Sequence, residues 1–293
     1  MATGWFQPRD VYVGRDVAGR LHTITAAEIE RYQNGTGDTH PWYQGPSAFN
    51  GPVAPALLLH SEVYRDLTWY LPNLIGNLHA RQEWDLFHPL QVGQSVRTRS
   101  TVVARYLKRN REYVVNEVLV TDLDGQWLQR SRTHQSFLAE AAPGAGYVVD
   151  KDREHAPERH FAIGEGPGEA LPSLSKHVTL AMCEAFSGPV RNYHNDRDMA
   201  RALGFPDVVV QGMMPICFVS ELMTRAFGAG WYCGGRLDVR LVNVLWGNEQ
   251  VTVHGKITGS APEGTRTRVV VDVWCEKPDG TKTLIGLASA VTH

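Results

Sequence analysis

The sequence is short of the features that mark several functional classes. It has 4 cysteines in 293 residues. Cys183, Cys217, Cys233 and Cys275 show no C-x-x-C spacing and sit in apolar surroundings, a pattern of buried reduced thiols that argues against a disulfide framework or a zinc site. No uninterrupted apolar run reaches the roughly 20 residues that span a bilayer, because Pro or charge breaks the longest candidates. The opening MATGWFQPRDV has no basic-then-apolar segment, so no secretion signal is read and a cytoplasmic location is expected. Charge of one sign is also lacking. Lys and Arg number 29 against 31 Asp and Glu, a net charge of −2, and with no basic face evident nucleic acid is a poor partner. Neither a Gly-rich nucleotide loop nor a metal-ligand cluster is present, so no redox cofactor and no metal are expected.

What is present reads as one unit repeated. Thr25 with Glu28 forms a capping box that predicts a short helix over residues 26–33, with Ile29 and Tyr32 facing inward. After the break at Gly35-Thr36-Gly37-Asp38, Leu57, Leu58, Val63 and Leu67 follow helical spacing over 56–70, ended by Pro72. Alternating β-branched and aromatic runs then predict strands over 78–87, 95–106, 112–122 and 127–138, with Asp124-Gly125 as a hairpin turn. Residues 139–172, rich in Gly, Pro, Ala and charge, read as a linker. Beyond it the pattern recurs: a helix over 178–186, a short one around Met199, a long apolar one over 213–227, then strands over 235–245, 250–257, 266–275 and 283–291. Thr36-Gly37 against Ser187-Gly188, Gly93 against Gly247 and Asp124-Gly125 against Asp279-Gly280 keep an offset of about 150 residues, a duplication signal. The expected organisation is a first unit at 1–140, a linker at 141–172 and a second unit at 173–293. Each packs an apolar helix on an antiparallel sheet, an α+β solution.

The stretch Ala185–Pro215, AFSGPVRNYHNDRDMARALGFPDVVVQGMMP, holds the densest chemistry. A polar knot, Asn192-Tyr193-His194-Asn195-Asp196, precedes a short amphipathic helix and the buried-looking Val208-Val209-Val210. Gln211-Gly212 then opens the long helix, whose unpaired N–H groups suit an anionic or carbonyl ligand. This stretch resembles the signature of the MaoC-like (R)-specific enoyl-CoA hydratases, which reads S/T-G-D-x-N-P-x-H-x-D, then G-F-P, then H-G-M. The family His falls on His194, the trailing Asp on Asp196, G-F-P on Gly204-Phe205-Pro206 and H-G-M on Gln211-Gly212-Met213. The catalytic Asp position holds Pro189 and the family Asn position holds Arg191. In the first half, Thr36-Gly37-Asp38-Thr39-His40-Pro41-Trp42-Tyr43 keeps the Asp as Asp38 and replaces the His by Tyr43.

The resemblance covers nearly the whole chain and implies a double hotdog, two tandem hotdog units each wrapping a sheet around a central helix. It implies a hydratase or dehydratase acting across the 2,3 double bond of an acyl thioester, CoA ahead of acyl carrier protein, with no further cofactor. His194 would be the acid and base, because adding water across that bond needs both. Gly212 would offer an N–H to the thioester oxygen. Asn192 would bind substrate or hold the loop, and Asp38 would complete the site or cap its own turn. Gln211, Tyr43, Asp196, Arg191, Met213 and His60 would contact substrate. His60-Ser61 otherwise reads as a hydrogen-bonded core pair, and Asp196 as a helix cap. Trp42, Tyr43, Trp69 and Tyr70 would fill core or line an acyl tunnel, and Arg105, Lys108, Arg109 and Arg111 would be a solvated hairpin tip or a CoA phosphate site. The pocket is expected between the halves, in a chain that dimerises. The alternatives are a hotdog thioesterase, a conjugate-addition enzyme using another nucleophile, or a non-catalytic acyl-CoA-binding subunit.

Overall fold

The computed structural model describes residues 11–66, 77–108, 111–138 and 161–292. Trp69, Tyr70, Arg109 and most of the expected linker lie outside the described residues. Strand β1 (Asp16–Thr23) leads to α1 (Ala26–Thr36), which begins with the expected reciprocal bonds between Thr25 and Glu28. The helix runs to Thr36, past its expected end, and stops where Gly37 takes φ 67°, a left-handed cap that needs no Cβ. Helix α2 (Glu62–Asp66) starts six residues after the expected 56, and residues 67–70 of the expected helix lie outside the described residues. Leading into it, Leu58, His60 and Glu62 donate to Pro55, Leu57 and Leu59, a run of three-residue turns in place of α-helix over 56–61. Side chains from elsewhere hold the carbonyls there: Gln129 donates to Ala56 O at 2.7 Å and Tyr232 to Ala54 O at 3.1 Å.

Strands β2 (Leu78–Leu86), β3 (Ser95–Lys108), β4 (Arg111–Thr121) and β5 (Trp127–Leu138) complete the first half. The second half opens with short strands β6 (Glu169–Ala170) and β7 (Leu174–His177), both unforeseen in the sequence. It continues through α3 (Leu180–Ser187), α4 (Arg197–Ala202), α5 (Met213–Phe227) and α6 (Ala229–Tyr232). Strands β8 (Arg236–Leu241), β9 (Gln250–Glu263), β10 (Arg266–Glu276) and β11 (Lys282–Thr292) follow, β8 ending short of the expected residue 245.

All the strands join one antiparallel sheet in the order β1-β3-β4-β5-β2-β8-β11-β10-β9-β6, with β7 beside β9. The order reads alike from both ends about the β2–β8 pair, where Trp84 lies opposite Leu237. That palindrome is the spatial form of the duplication. On the outer face of the join, Arg81 forks onto Asp238 (2.6 and 2.5 Å), Arg130 pairs with Asp85 and Arg132 with Glu117. Inside, α5 is buried from Met213 to Thr224. Each fully buried Met, Ile, Phe or Leu of that helix contributes about 1.5–3 kcal/mol relative to exposure.

Candidate functional site

The loop between α3 and α4 is held by its own amides. Asn192 Oδ1 accepts from His194 N at 2.8 Å, Asn192 N donates to Asn195 Oδ1 at 2.8 Å, and Asn195 Nδ2 donates to Gly188 O and Val190 O at 3.0 Å. Asn192 Nδ2 donates to Val190 O. Asn192 is thus occupied in shaping the loop. Asp196 is the cap of α4, its Oδ1 accepting from Asp198 N and Met199 N at 3.0 Å while Oδ2 pairs with Arg191. Arg191 stands out in solvent, and Pro189 is exposed.

The loop presents His194. Its Nδ1 lies 2.7 Å from Val209 O, so Nδ1 carries the proton and donates, leaving Nε2 as an acceptor. Burial pushes the imidazole down to about 4, which keeps it neutral near pH 7. Val209 N in turn donates to Tyr193 O at 3.1 Å, tying the loop to the segment that enters α5. At that entry Gln211 Oε1 is buried without a hydrogen-bond partner among the described residues. Gly212 begins the helix with no side-chain cap. The first N–H groups of a helix have no partner within it, so this end offers donors to an incoming oxygen.

The wall facing Gly212 joins His79 of the first half to Leu241 of the second. A Cβ added at Gly212 would lie 2.9 Å from His79 Nδ1 and 2.6 Å from Leu241 Cδ1. His79 belongs to a chain of buried amides and hydroxyls. Gln82 Nε2 donates to Glu83 O, so its Oε1 is the atom that accepts from Thr133 Oγ1 at 2.8 Å and meets His79 Nε2 at 3.0 Å. His79 Nε2 therefore carries the proton, and Nδ1 accepts from Tyr64 Oη at 3.3 Å. Gln135 Nε2 donates to that same oxygen at 3.5 Å. Burial lowers His79 to about 4 and raises the Tyr64 phenol, so both stay neutral. Tyr193 sits close enough to Tyr64 to disfavour its ionisation further.

The equivalent loop of the first half is closed. Tyr43 donates to Asp38 Oδ2 at 2.6 Å, His40 N donates to Oδ1 at 3.2 Å, and both side chains are buried. Lys176 reaches across from the second half, donating to Thr36 O at 3.0 Å and pairing with Glu221 of α5 at 2.5 Å. Glu221 also accepts from Arg225 at 2.6 Å. Burial lifts Asp38 and Glu221 above the usual carboxylate range despite those cations.

The structure therefore brings His194, Gln211 and Gly212 together at one helix end and sets Asp38 and Tyr43 apart in a buried ionic cluster. Three of the expected substrate contacts have partners or packing within the described residues. Tyr43 is spent on Asp38. Met213 is fully buried. His60 stacks on Phe186 with ring centroids 4.2 Å apart and bonds Ser61 at 2.7 Å, held down to about 3 by burial. Arg105 is taken by Glu112 and by Val11 O, and Arg111 bonds Ser136. Sequence reasoning passed over Tyr64, His79, Gln82 and Gln135. The available signal was polar residues at inward positions of β2 and β5. Among the described residues no three His, Cys, Asp or Glu side chains cluster to hold a metal, and no helix is long and apolar enough to cross a membrane.

Residues 11–129 match a family model described as a FAS1-like, dehydratase domain region. No curated protein matches the chain by sequence. Among solved structures, a MaoC-like dehydratase from Phytophthora capsici superimposes with a TM-score of 0.72 at 14% identity, over 97% of each chain. A conserved hypothetical protein from Mycobacterium tuberculosis with a double hotdog fold gives 0.61 at 14% identity, over 97% of this chain and 96% of that one. A putative oleoyl thioesterase from Lactobacillus plantarum gives 0.53 at 13% identity, over 95% and 96%. The fold is a double hotdog.

Proposed function

Taking a double hotdog with a dehydratase-type region at residues 11–129 as the premise, we propose that the protein adds or removes water across the 2,3 double bond of an acyl-CoA thioester. His194 is the acid and base. The supporting observation is the 2.7 Å bond from His194 Nδ1 to Val209 O, which with burial leaves a neutral Nε2 beside the donor-rich start of α5. In hydration, water oxygen bonds C3 and the C2–C3 π pair moves toward the thioester oxygen, where N–H groups at Gly212 stabilise the enolate. The water proton goes to Nε2 and is then delivered to C2, restoring the neutral imidazole. Asp38 lies in the closed loop, so its part is structural.

A second reading follows from Pro189, which stands exposed where the resemblance calls for a carboxylate. A hydrolase releasing free thiol, of the kind the Lactobacillus plantarum likeness suggests, has no need of that group. One assay separates the two. Hydration of a panel of 2-enoyl-CoA esters removes the enoyl absorbance with the thioester intact, whereas hydrolysis releases thiol. His194→Ala is expected to lower kcat by about two to four powers of ten with little change in acyl-CoA binding. Equal losses in both, or none, overturn the role of His194.

A further inference from the structure

Given that reading of the site, we propose that Tyr64 supplies the water-holding oxygen that Pro189 cannot, with His79 as the positioning residue behind it. A hydratase site must orient its water as well as deprotonate it. One hydrogen goes to the base, a second acceptor takes the other, and a lone pair is left aimed at carbon. The His194 loop supplies the base but no uncommitted carboxylate. Its carboxylates and amides are committed elsewhere: Asp196 to the cap of α4 and to Arg191, Asn192 and Asn195 to the loop backbone. The other half contributes a phenol, Tyr64, whose partner His79 lies against Gly212 and whose ionisation the nearby Tyr193 disfavours. The hydroxyl hydrogen of Tyr64 is directed to His79 Nδ1, because His79 Nε2 already donates to Gln82 Oε1. Gln135 Nε2 occupies one flank of the phenol oxygen, at 3.5 Å.

A phenol whose proton is pinned on an imidazole has its remaining lone pair fixed in direction and enriched in electron density. That lone pair is the acceptor for the second hydrogen of the water. Tyr64 keeps its own proton throughout. The proton that moves is the one passing from water through His194 Nε2 to C2, so the balance of the reaction is unchanged. His79 Nδ1, 2.9 Å from where a Cβ on Gly212 would lie, also fixes the gap between this phenol and the start of α5.

The test compares the wild-type chain with Tyr64→Phe and His79→Gln on crotonyl-CoA. Loss of kcat by about a hundredfold in Tyr64→Phe with KM within threefold supports the assignment, as does a roughly tenfold loss in His79→Gln. A raised KM at unchanged kcat, or no change in either, makes Tyr64 a plain wall and overturns it. The two ring nitrogens of His79, read by nitrogen NMR, give a second readout free of turnover. Butyryl-CoA, which cannot be hydrated, is expected to shift the His79 signals in the wild type and to leave them unmoved in Tyr64→Phe. Wild-type silence on enoyl-CoA esters of every chain length defeats the hydratase reading alone. The Tyr64–His79 pairing then stands or falls on whether butyryl-CoA moves His79.

Discussion

The hydroxyl of Tyr43 donates to Asp38 at 2.6 Å inside a loop whose counterpart, 151 positions later, carries His194 and Pro189. One copy of the loop has kept a carboxylate and locked it to a phenol. The other has kept an imidazole and lost the carboxylate. The two halves differ in what the loop does, one locking a carboxylate into the core and one presenting an imidazole near the start of α5.

Tyr43→Phe removes a donor from a buried carboxylate, and an unsatisfied buried group costs about 1–3 kcal/mol. Chemical denaturation is expected to show a loss of that size, with turnover per folded molecule unchanged. A fall in turnover comparable to that of His194→Ala would place Asp38 in the chemistry.

Lys176→Met leaves Glu221 facing Asp38 in the core with Arg225 as its remaining direct cation. Breaking a buried pair by removing one partner costs about 3–5 kcal/mol, and the half-exposed Arg225 keeps the loss near the lower figure. Lys176→Met combined with Glu221→Gln is expected to regain at least half of it, a coupling that a double-mutant cycle measures directly. Additive losses would show the pair to be unlinked.

Acid is expected to destabilise the protein before its carboxylates titrate. Burial holds His60 at about 3 and His79 and His194 at about 4, against 6.5 for a free imidazole. The unfolded chain therefore binds protons first as pH falls below about 6.5, and stability drops until the folded values are passed. Each histidine adds a slope of about 1.4 kcal/mol per pH unit in that window. Asp38 and Glu221 work the other way, since their raised folded values cost stability as pH rises above the unfolded carboxylate range. Urea midpoints between pH 7.5 and 5 should fall steadily, and His60→Phe should flatten the slope by one histidine's share. An unchanged slope would show that His60 does not titrate with unfolding.

Gly212→Ala places a methyl against Leu241 and His79 at distances no relaxed Cβ tolerates. Overpacking of this kind costs about 1–3 kcal/mol. Because the clash sits between His79 and the helix start, turnover is expected to fall far more than stability, as paired kinetics and thermal melts would show. A variant with wild-type kcat would remove Gly212 from the site.

Local signals were legible in the sequence wherever neighbouring residues settle the outcome. The Thr25–Glu28 capping box set the start of α1, and the apolar run from Met213 to Phe227 set both ends of α5. The segment 56–61 misled because helical spacing of Leu57 and Leu58 says nothing of Gln129 and Tyr232, which take the carbonyls of Ala56 and Ala54 from far along the chain. The candidate site was half legible for the same reason. The His194 loop is contiguous and matched a signature, whereas the wall of Tyr64, His79, Gln82 and Gln135 exists only once β2 and β5 are laid beside the start of α5. Glu221 and Lys176 were hidden likewise, since a charged residue within an apolar helix reads as a solvent-facing position until its partner is seen.

The pairing of β2 with β8 also sets a schedule for synthesis. About 150 residues separate the two strands in sequence, so at about 5–20 residues per second β2 waits roughly 8–30 s on the ribosome for its neighbour. Until then the nascent first half carries an open strand edge at what becomes the middle of the finished sheet. Arg81, Glu83 and Asp85 on that strand hold charge along the waiting edge, the usual guard against mispairing with another chain. Once β8 arrives, Arg81 closes onto Asp238, while Asp85 and Glu83 hold Arg130 and His134 of β5, and the guard becomes the seam.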